Sequence, residues 1–234
     1  MTSGLVFAVS FLSCFLILAV QDPFWSADHH LSRWFHGHLA EPFTSLMLAV
    51  TSSASEWWMA GMTLAIGLVL VFRRGWYGLL TLGLTVPGGT LFGELLKDLV
   101  RRDRPYHESA LIDLSGYSFP SGHTLAATLL YGLLVVFAIP VLKSLRLRFL
   151  VGLTAALIVI LVGLSRIALG AHYLTDVLGA MACGLAWLWL CFKVARMLRR
   201  HRSERSVREV LGAETPAIEE SDAGSCRLMS RLGE

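Results

Sequence analysis

The sequence predicts an all-α fold, an integral membrane bundle of six transmembrane helices followed by a short polar C-terminal tail. Of its 234 residues, 55% are hydrophobic and 16% are charged, and the mean hydropathy is +0.61. Soluble domains carry about 25% charged residues. The apolar residues also form long continuous runs rather than alternating with polar ones, which favours helices over membrane strands.

The six predicted spans follow from run length, since a membrane helix needs about 20 apolar residues. The first span, residues 5–20, could instead be a signal peptide, but its leader "MTSG" lacks the basic residues of one. The other spans are residues 57–72, 76–96, 122–141, 149–165 and 173–192. These spans assign residues 1–195 to a membrane domain and residues 196–234 to a polar, partly disordered tail.

Basic residues between the spans predict the orientation of the chain. They concentrate in the second-to-third loop, in the fourth-to-fifth loop and after the sixth span: Arg73, Arg74, Lys143, Arg146, Arg148 and the arginines of residues 196–208. The first-to-second loop on the other side has only Arg33. The positive-inside rule therefore puts both termini in the cytoplasm. On the assumption, made from the short and compact chain, that the source is bacterial, we expect the cytoplasmic (inner) membrane.

Three polar clusters fall at helix ends that an up-and-down bundle brings to one face. They are "KDLVRRDRP" at 97–105, "PSGH" at 120–123 and "SRIALGAHYLTD" at 165–176. "PSGH" alone is typical of a helix start, because serine is a good N-cap. Basic residues of the first cluster, however, lie on the outward face, where the positive-inside rule does not expect them. The convergence therefore indicates a functional site, with Arg101 and Arg102 expected to contact lipid headgroups.

The residue types of this site predict an oxyanion-binding cradle. Lys97, Arg104 and Arg166 supply three positive charges. Ser121 and the backbone N–H of Gly122 lie at a predicted helix N-terminus, which favours anions. Phosphate is the ligand that best fits such a set.

Two histidines, His123 and His172, can serve as nucleophile and general acid, and the residues alone do not tell which one attacks. His172 and Asp176 are four residues apart, so on a helix they share a face, and the carboxylate can then orient the imidazole. We expect no metal, because three nearby cations would repel one, and no other cofactor. The four cysteines form no CxxC pair and are interpreted as small hydrophobic residues.

The three clusters resemble the signature of the type 2 phosphatidic acid phosphatase superfamily, which also includes vanadium haloperoxidases. That signature is lysine, six residues, Arg-Pro; then Pro-Ser-Gly-His; then Ser-Arg, five residues, histidine, three residues, aspartate. The matching positions are Lys97, Arg104, Pro105, Pro120, Ser121, Gly122, His123, Ser165, Arg166, His172 and Asp176.

The resemblance implies a role for each matched residue. His172 is the nucleophile that forms a phosphohistidine, Asp176 orients it, and His123 protonates the leaving oxygen. The phosphate oxygens are held by Lys97, Arg104, Ser121, Gly122 and Arg166, together with His123.

The resulting hypothesis is a membrane lipid phosphatase whose active site faces the periplasm or cell exterior. Undecaprenyl diphosphate, phosphatidylglycerophosphate, phosphatidic acid and lipid A phosphate all fit the site. The alternatives are a lipid phosphotransferase with the same site and a non-catalytic lipid-phosphate transporter. Expected partners are a lipid phosphate and membrane lipids, with no nucleic acid; the sequence leaves the oligomeric state open.

Overall fold

The protein is described by a computed structural model that covers residues 25–38, 40–105 and 116–231, with side chains at all of these positions except 25, 36, 37 and 203–231. The described residues form helices and no strand. The helices are α1 (Trp25–His38), α2 (Phe43–Ser52), α3 (Glu56–Phe72), α4 (Trp76–Val100), α5 (Gly122–Ala138), α6 (Leu145–Ala168) and α7 (Leu174–Arg231). The predicted span at 5–20 lies outside the described residues.

The predicted all-helical membrane fold is confirmed, whereas the count of six spans is not. Four described segments are long and apolar enough to cross a membrane: Phe43–Phe72, which combines α2 and α3, then α4, α6 and the Leu174–Arg202 part of α7. The fifth apolar helix, α5, has only 17 residues. At 1.5 Å per residue it is about 26 Å long, slightly shorter than a hydrocarbon core of about 30 Å.

The short helix α5 is the core of the bundle. It packs against α3, α4 and α6, and its side chains Leu129, Leu130 and Leu133 are completely buried. The outer helices instead expose large apolar side chains such as Leu64, Phe72 and Phe149. Such an outward apolar surface is stable only against lipid, which agrees with the membrane assignment.

Two glycines on α4 let α4 and α5 approach closely. A Cβ atom added at Gly89 would lie 2.4 Å from Cδ1 of Leu129, and one at Gly93 would lie 2.4 Å from Cδ2 of Leu125. Small residues four apart are a common way for membrane helices to pack, because dispersion contacts there replace the hydrophobic effect. This contact fixes the end of α4 beside the start of α5.

The helix ends that carry the three polar clusters converge, as the sequence predicts. The C-terminal ends of α4 and α6 meet the N-terminal ends of α5 and α7, while the connections 73–75 and 139–144 join the opposite helix ends. Two backbone hydrogen bonds tie these segments together: Ser118 N donates to Arg102 O at 2.8 Å, and Ser121 N donates to Asp176 O at 3.3 Å. The chain divides into two compact units, Met1–Cys191 and Phe192–Glu234, and the site belongs to the first.

The α4–α5 contact predicts that Gly89→Ala lowers the thermal midpoint of unfolding in detergent. The added methyl group meets the buried side chain of Leu129, and such overpacking typically costs about 1–3 kcal/mol. Gly83→Ala on the same helix is the control, because an added Cβ there meets nothing within 4 Å. Equal midpoints for the two variants would contradict the close approach.

Candidate active site

The candidate site lies in a cavity of about 1220 Å³ between α3, α4 and α5. Six of the predicted site residues line its wall: Lys97, Arg104, Gly122, His123, Arg166 and His172. The other two, Ser121 and Asp176, are completely buried. The hydroxyl of Ser121 lies 3.0 Å from that of Thr124 rather than at the cavity wall. The structure therefore brings the predicted residues together, in two layers.

Lys97 holds its ammonium group over the first turn of α5. A Cβ atom at Gly122 would lie 3.4 Å from Nζ of Lys97, so the glycine leaves room for the cation beside the helix N-terminus. The same Nζ donates a 2.8 Å hydrogen bond to Oε1 of Glu94, one helical turn earlier. Glu94 lines the cavity as well. The cation that the sequence assigns to phosphate binding is thus paired with a carboxylate in this structure.

The two arginines of the cradle are held by groups outside the predicted motifs. Arg104 donates from Nε to Gly116 O at 2.9 Å and from Nη1 to Ala171 O at 3.2 Å. Arg166 is buried, and its Nη1 donates to Oγ1 of Thr51 on α2 at 3.3 Å. Nε of Arg166 is buried without an acceptor among the described residues. Because a buried donor needs an acceptor, this atom is suited to a phosphate oxygen.

His172 lies before α7, which begins at Leu174, so the prediction that His172 and Asp176 share a helix face is wrong. Nδ1 of His172 lies 2.8 Å from the carbonyl oxygen of Ser118 and 3.8 Å from Oδ2 of Asp176. A carbonyl can only accept, so Nδ1 carries the proton and Nε2 keeps its lone pair. Nε2 lies 3.5 Å from Nη1 of Arg104, on the side of the cationic cradle.

Burial is the largest influence on the protonation of His172, and it lowers the pKa of the imidazole. The neighbouring carboxylate of Asp176 acts in the opposite direction, whereas Arg166 and Arg104 lower the pKa further. A lowered pKa keeps the neutral imidazole present to more acidic pH than usual. In that neutral form the Nε2 lone pair of His172 faces Nη1 of Arg104.

The carboxylate of Asp176 is fixed from both sides. Oδ2 accepts from the hydroxyl of Ser118 at 2.5 Å and from the backbone N–H of Tyr173 at 2.8 Å. Oδ1 accepts from Nη1 of Arg102 at 2.7 Å. The prediction that Arg102 contacts lipid headgroups is therefore wrong, since its side chain is only 9% exposed and is paired inside the protein.

Sequence reasoning missed several residues that support the site: Asp28, Thr51, Glu94, Arg102 and Ser118. The sequence did contain a signal for the Glu94–Lys97 ion pair, because the two residues are three apart on one helix. Ser118 lies two residues before the "PSGH" cluster and contributes its carbonyl as much as its side chain. Asp28 and Thr51 belong to α1 and α2, which the apolar runs did not predict.

Comparison with known proteins agrees with this geometry. The sequence model of the PAP2 superfamily matches residues 75–200. Phosphatidylglycerophosphatase B of Bacillus subtilis (strain 168) is 32% identical over 202 residues, which cover 84% of this chain and 98% of that protein.

Two solved structures share the fold. The first is that of the transmembrane PAP2 type phosphatidylglycerolphosphate phosphatase from Bacillus subtilis, with a TM-score of 0.73 and 31% identity over 81% of this chain and 96% of that one. The second is Aquifex aeolicus LpxE, with a TM-score of 0.56 and 20% identity over 71% of this chain and 95% of that one. The second likeness shows the fold alone.

Proposed function

Because this chain belongs to the PAP2 superfamily, we propose that it hydrolyses phosphatidylglycerophosphate through a phosphohistidine at the outer face of the cytoplasmic membrane. The broader assignment is a membrane-bound phosphoric ester hydrolase, which the family, the relative and the fold together support. The substrate, the intermediate and the membrane face are the proposal.

The observation that carries the proposal is the composition of the cavity described above. One part of its wall holds the three cations and two histidines of the candidate site. Another part is apolar and is formed by α3 and α4 side chains such as Met59, Leu64, Leu68 and Leu79. A cavity with both parts fits a molecule that joins a phosphate to a hydrocarbon chain.

The choice among lipid phosphates rests on the Bacillus subtilis relative. Its name gives phosphatidylglycerophosphate as its substrate, and it matches this chain over nearly its whole length. The terminal phosphomonoester of that lipid carries close to two negative charges at neutral pH. Three cations around one position suit such a dianion.

The first chemical step in the proposal is attack of His172 Nε2 on the phosphorus. Lys97, Arg104 and Arg166 hold the phosphate oxygens and stabilise the charge that spreads over them in the transition state. The bond from phosphorus to the glycerol oxygen breaks, and His123 gives that oxygen a proton. The bound phosphate offsets the surrounding cations, which favours the protonated form of His123 needed here.

The second step releases the phosphate. The phosphohistidine carries a positive imidazole ring, and the carboxylate of Asp176, 3.8 Å from Nδ1, stabilises that charge. The neutral His123 takes a proton from a water molecule, which attacks the phosphorus. Inorganic phosphate leaves, and His172 regains its Nε2 lone pair. Every charge that this scheme uses comes from side chains of the chain itself.

The proposed sidedness rests on the basic residues at the helix ends opposite the site. The connections 73–75 and 139–144 and the start of α6 hold five of them: Arg73, Arg74, Lys143, Arg146 and Arg148. Such clusters favour the cytoplasmic side. The basic residues near the site have partners in the cradle and its surroundings, so they do not count against this orientation.

The nucleophile assignment predicts that His172→Gln abolishes phosphate release from phosphatidylglycerophosphate in detergent.

His123→Gln should lose far less activity on p-nitrophenyl phosphate, whose leaving group needs no proton, than on the lipid. The assays contain excess EDTA, since the positive charges come from side chains. Substantial turnover by the folded His172→Gln variant would refute the assignment, and strict dependence on an added metal would refute the metal-free scheme.

The orientation predicts the labelling of single cysteines in intact cells by a membrane-impermeant thiol reagent. Arg101→Cys, at the exposed end of α4 beside the site, should react. Ser144→Cys, exposed before α6 at the opposite end, should react only after the membrane is opened. The four native cysteines are first replaced by alanine. The reverse pattern would place the site at the cytoplasmic leaflet.

A further inference from the structure

The guanidinium of Arg102 is buried between two carboxylates, one of which belongs to the candidate catalytic group Asp176. We propose that Asp28 and Arg102 are positioning residues for phosphoryl transfer, which act on His172 through Asp176. This inference rests on the proposed phosphohistidine mechanism. It makes helix α1, which the three sequence motifs do not include, a part of the active enzyme.

The side chain of Arg102 links Asp28, Thr175 and Asp176. Nη1 donates to Oδ1 of Asp176 at 2.7 Å and to the hydroxyl of Thr175 at 2.6 Å, and Nη2 donates to Oδ2 of Asp28 at 2.9 Å. Asp28 in turn accepts from the backbone N–H of Thr175 at 3.1 Å and from the hydroxyl of Thr175. Asp28 and Asp176 are 1% and 0% exposed. Removing Arg102 would leave two buried carboxylates without their cation.

Arg102 also positions Ser118, whose carbonyl oxygen is the other acceptor near Nδ1 of His172. Its carbonyl oxygen accepts the 2.8 Å hydrogen bond from the backbone N–H of Ser118. The carbonyl oxygen of Ser118 accepts from Nδ1 of His172, and the hydroxyl of Ser118 donates to Asp176. Both acceptors near Nδ1 are therefore placed by Arg102, one through its side chain and one through its backbone.

Helix α1 holds this arrangement through two successive residues. Asp28 makes the ion pair with Arg102, and the ring of His29 stacks on that of Tyr173 with centroids 4.9 Å apart. The guanidinium carbon of Arg102 lies 4.7 Å from the centroid of the Tyr173 ring. The arginine thus has an aromatic face beneath it and a carboxylate on each side, which limits its movement.

The charges of the cluster explain why two carboxylates are useful. One guanidinium shared between Asp28 and Asp176 leaves one net negative charge beside the imidazole. Without Asp28, Arg102 would neutralise Asp176 alone. The negative charge that stabilises the phosphorylated ring would then be lost, even though Asp176 itself is intact.

The test compares Asp28→Asn and Arg102→Lys with the wild-type protein on p-nitrophenyl phosphate, a probe that does not depend on the lipid assignment. We expect kcat per folded molecule to fall about 10- to 100-fold in both variants, the range seen when outer-shell partners of ligating histidines are removed. The inhibition constant of inorganic phosphate, which needs the cradle but forms no bond to His172, should change less than about three-fold, because the cradle cations are untouched. The double variant should lose no more than the more impaired single variant, because the pair acts as a unit.

The matched controls are Asp103→Asn and Arg101→Lys, which make the same two substitutions at exposed neighbouring positions. They should keep kcat within two-fold of wild type. A kcat near wild type in the folded Asp28→Asn and Arg102→Lys variants would overturn the inference, as would multiplying losses in the double variant or an equal loss of phosphate binding. His172→Gln is assayed in parallel. Retained activity in His172→Gln would overturn the proposed mechanism. An inactive His172→Gln variant together with a fully active Asp28→Asn variant would overturn only the positioning role.

Discussion

The buried carboxylate of Asp176 is the point on which the arrangement of the site depends. The carboxylate accepts hydrogen bonds from Arg102, Ser118 and the backbone N–H of Tyr173. The backbone carbonyl of Asp176 accepts a further one from the N–H of Ser121. These partners come from the segment after α4, the segment before α5 and the start of α7. A carboxylate without such partners could not remain charged inside an apolar bundle. The charge thus requires the loops to fold around it, and their folding places His172.

The apolar bundle and the polar site depend on each other. The glycine contact between α4 and α5 brings Lys97 over the N-terminus of α5, where Gly122 leaves room for the ammonium group. Lys97 and Arg166 lie in the last turns of α4 and α6, where the helix dipole favours cations. An anion is favoured at the start of α5 for the same reason. The C-terminal ends of α4 and α6 and the N-terminal end of α5 therefore surround the proposed phosphate position. The side chains of Lys97 and Arg166 add full positive charges to the partial charges of the helix ends.

The sequence predicted the general fold and the inner layer of the site because both leave local patterns. Long apolar runs identified α3, α4, α5 and α6 to within four residues at each end, and also the start of α7. The three motifs named six residues that line the cavity. The supporting layer had no such pattern. Asp28 lies 74 residues before Arg102 and 148 before Asp176, and only the folded chain brings them together. His172 was placed on a helix because spacing alone cannot show that α7 begins two residues later.

The most direct test of the account is a structure of the protein with orthovanadate bound. Vanadate can form a bond to a nucleophilic nitrogen and resembles the phosphoryl group in transfer. The account predicts vanadium bonded to Nε2 of His172, with its oxygens contacting Lys97, Arg104 and Arg166 and with Nδ1 still donating toward Ser118 or Asp176. Vanadium bonded to His123, or held elsewhere in the cavity away from both histidines, would contradict it.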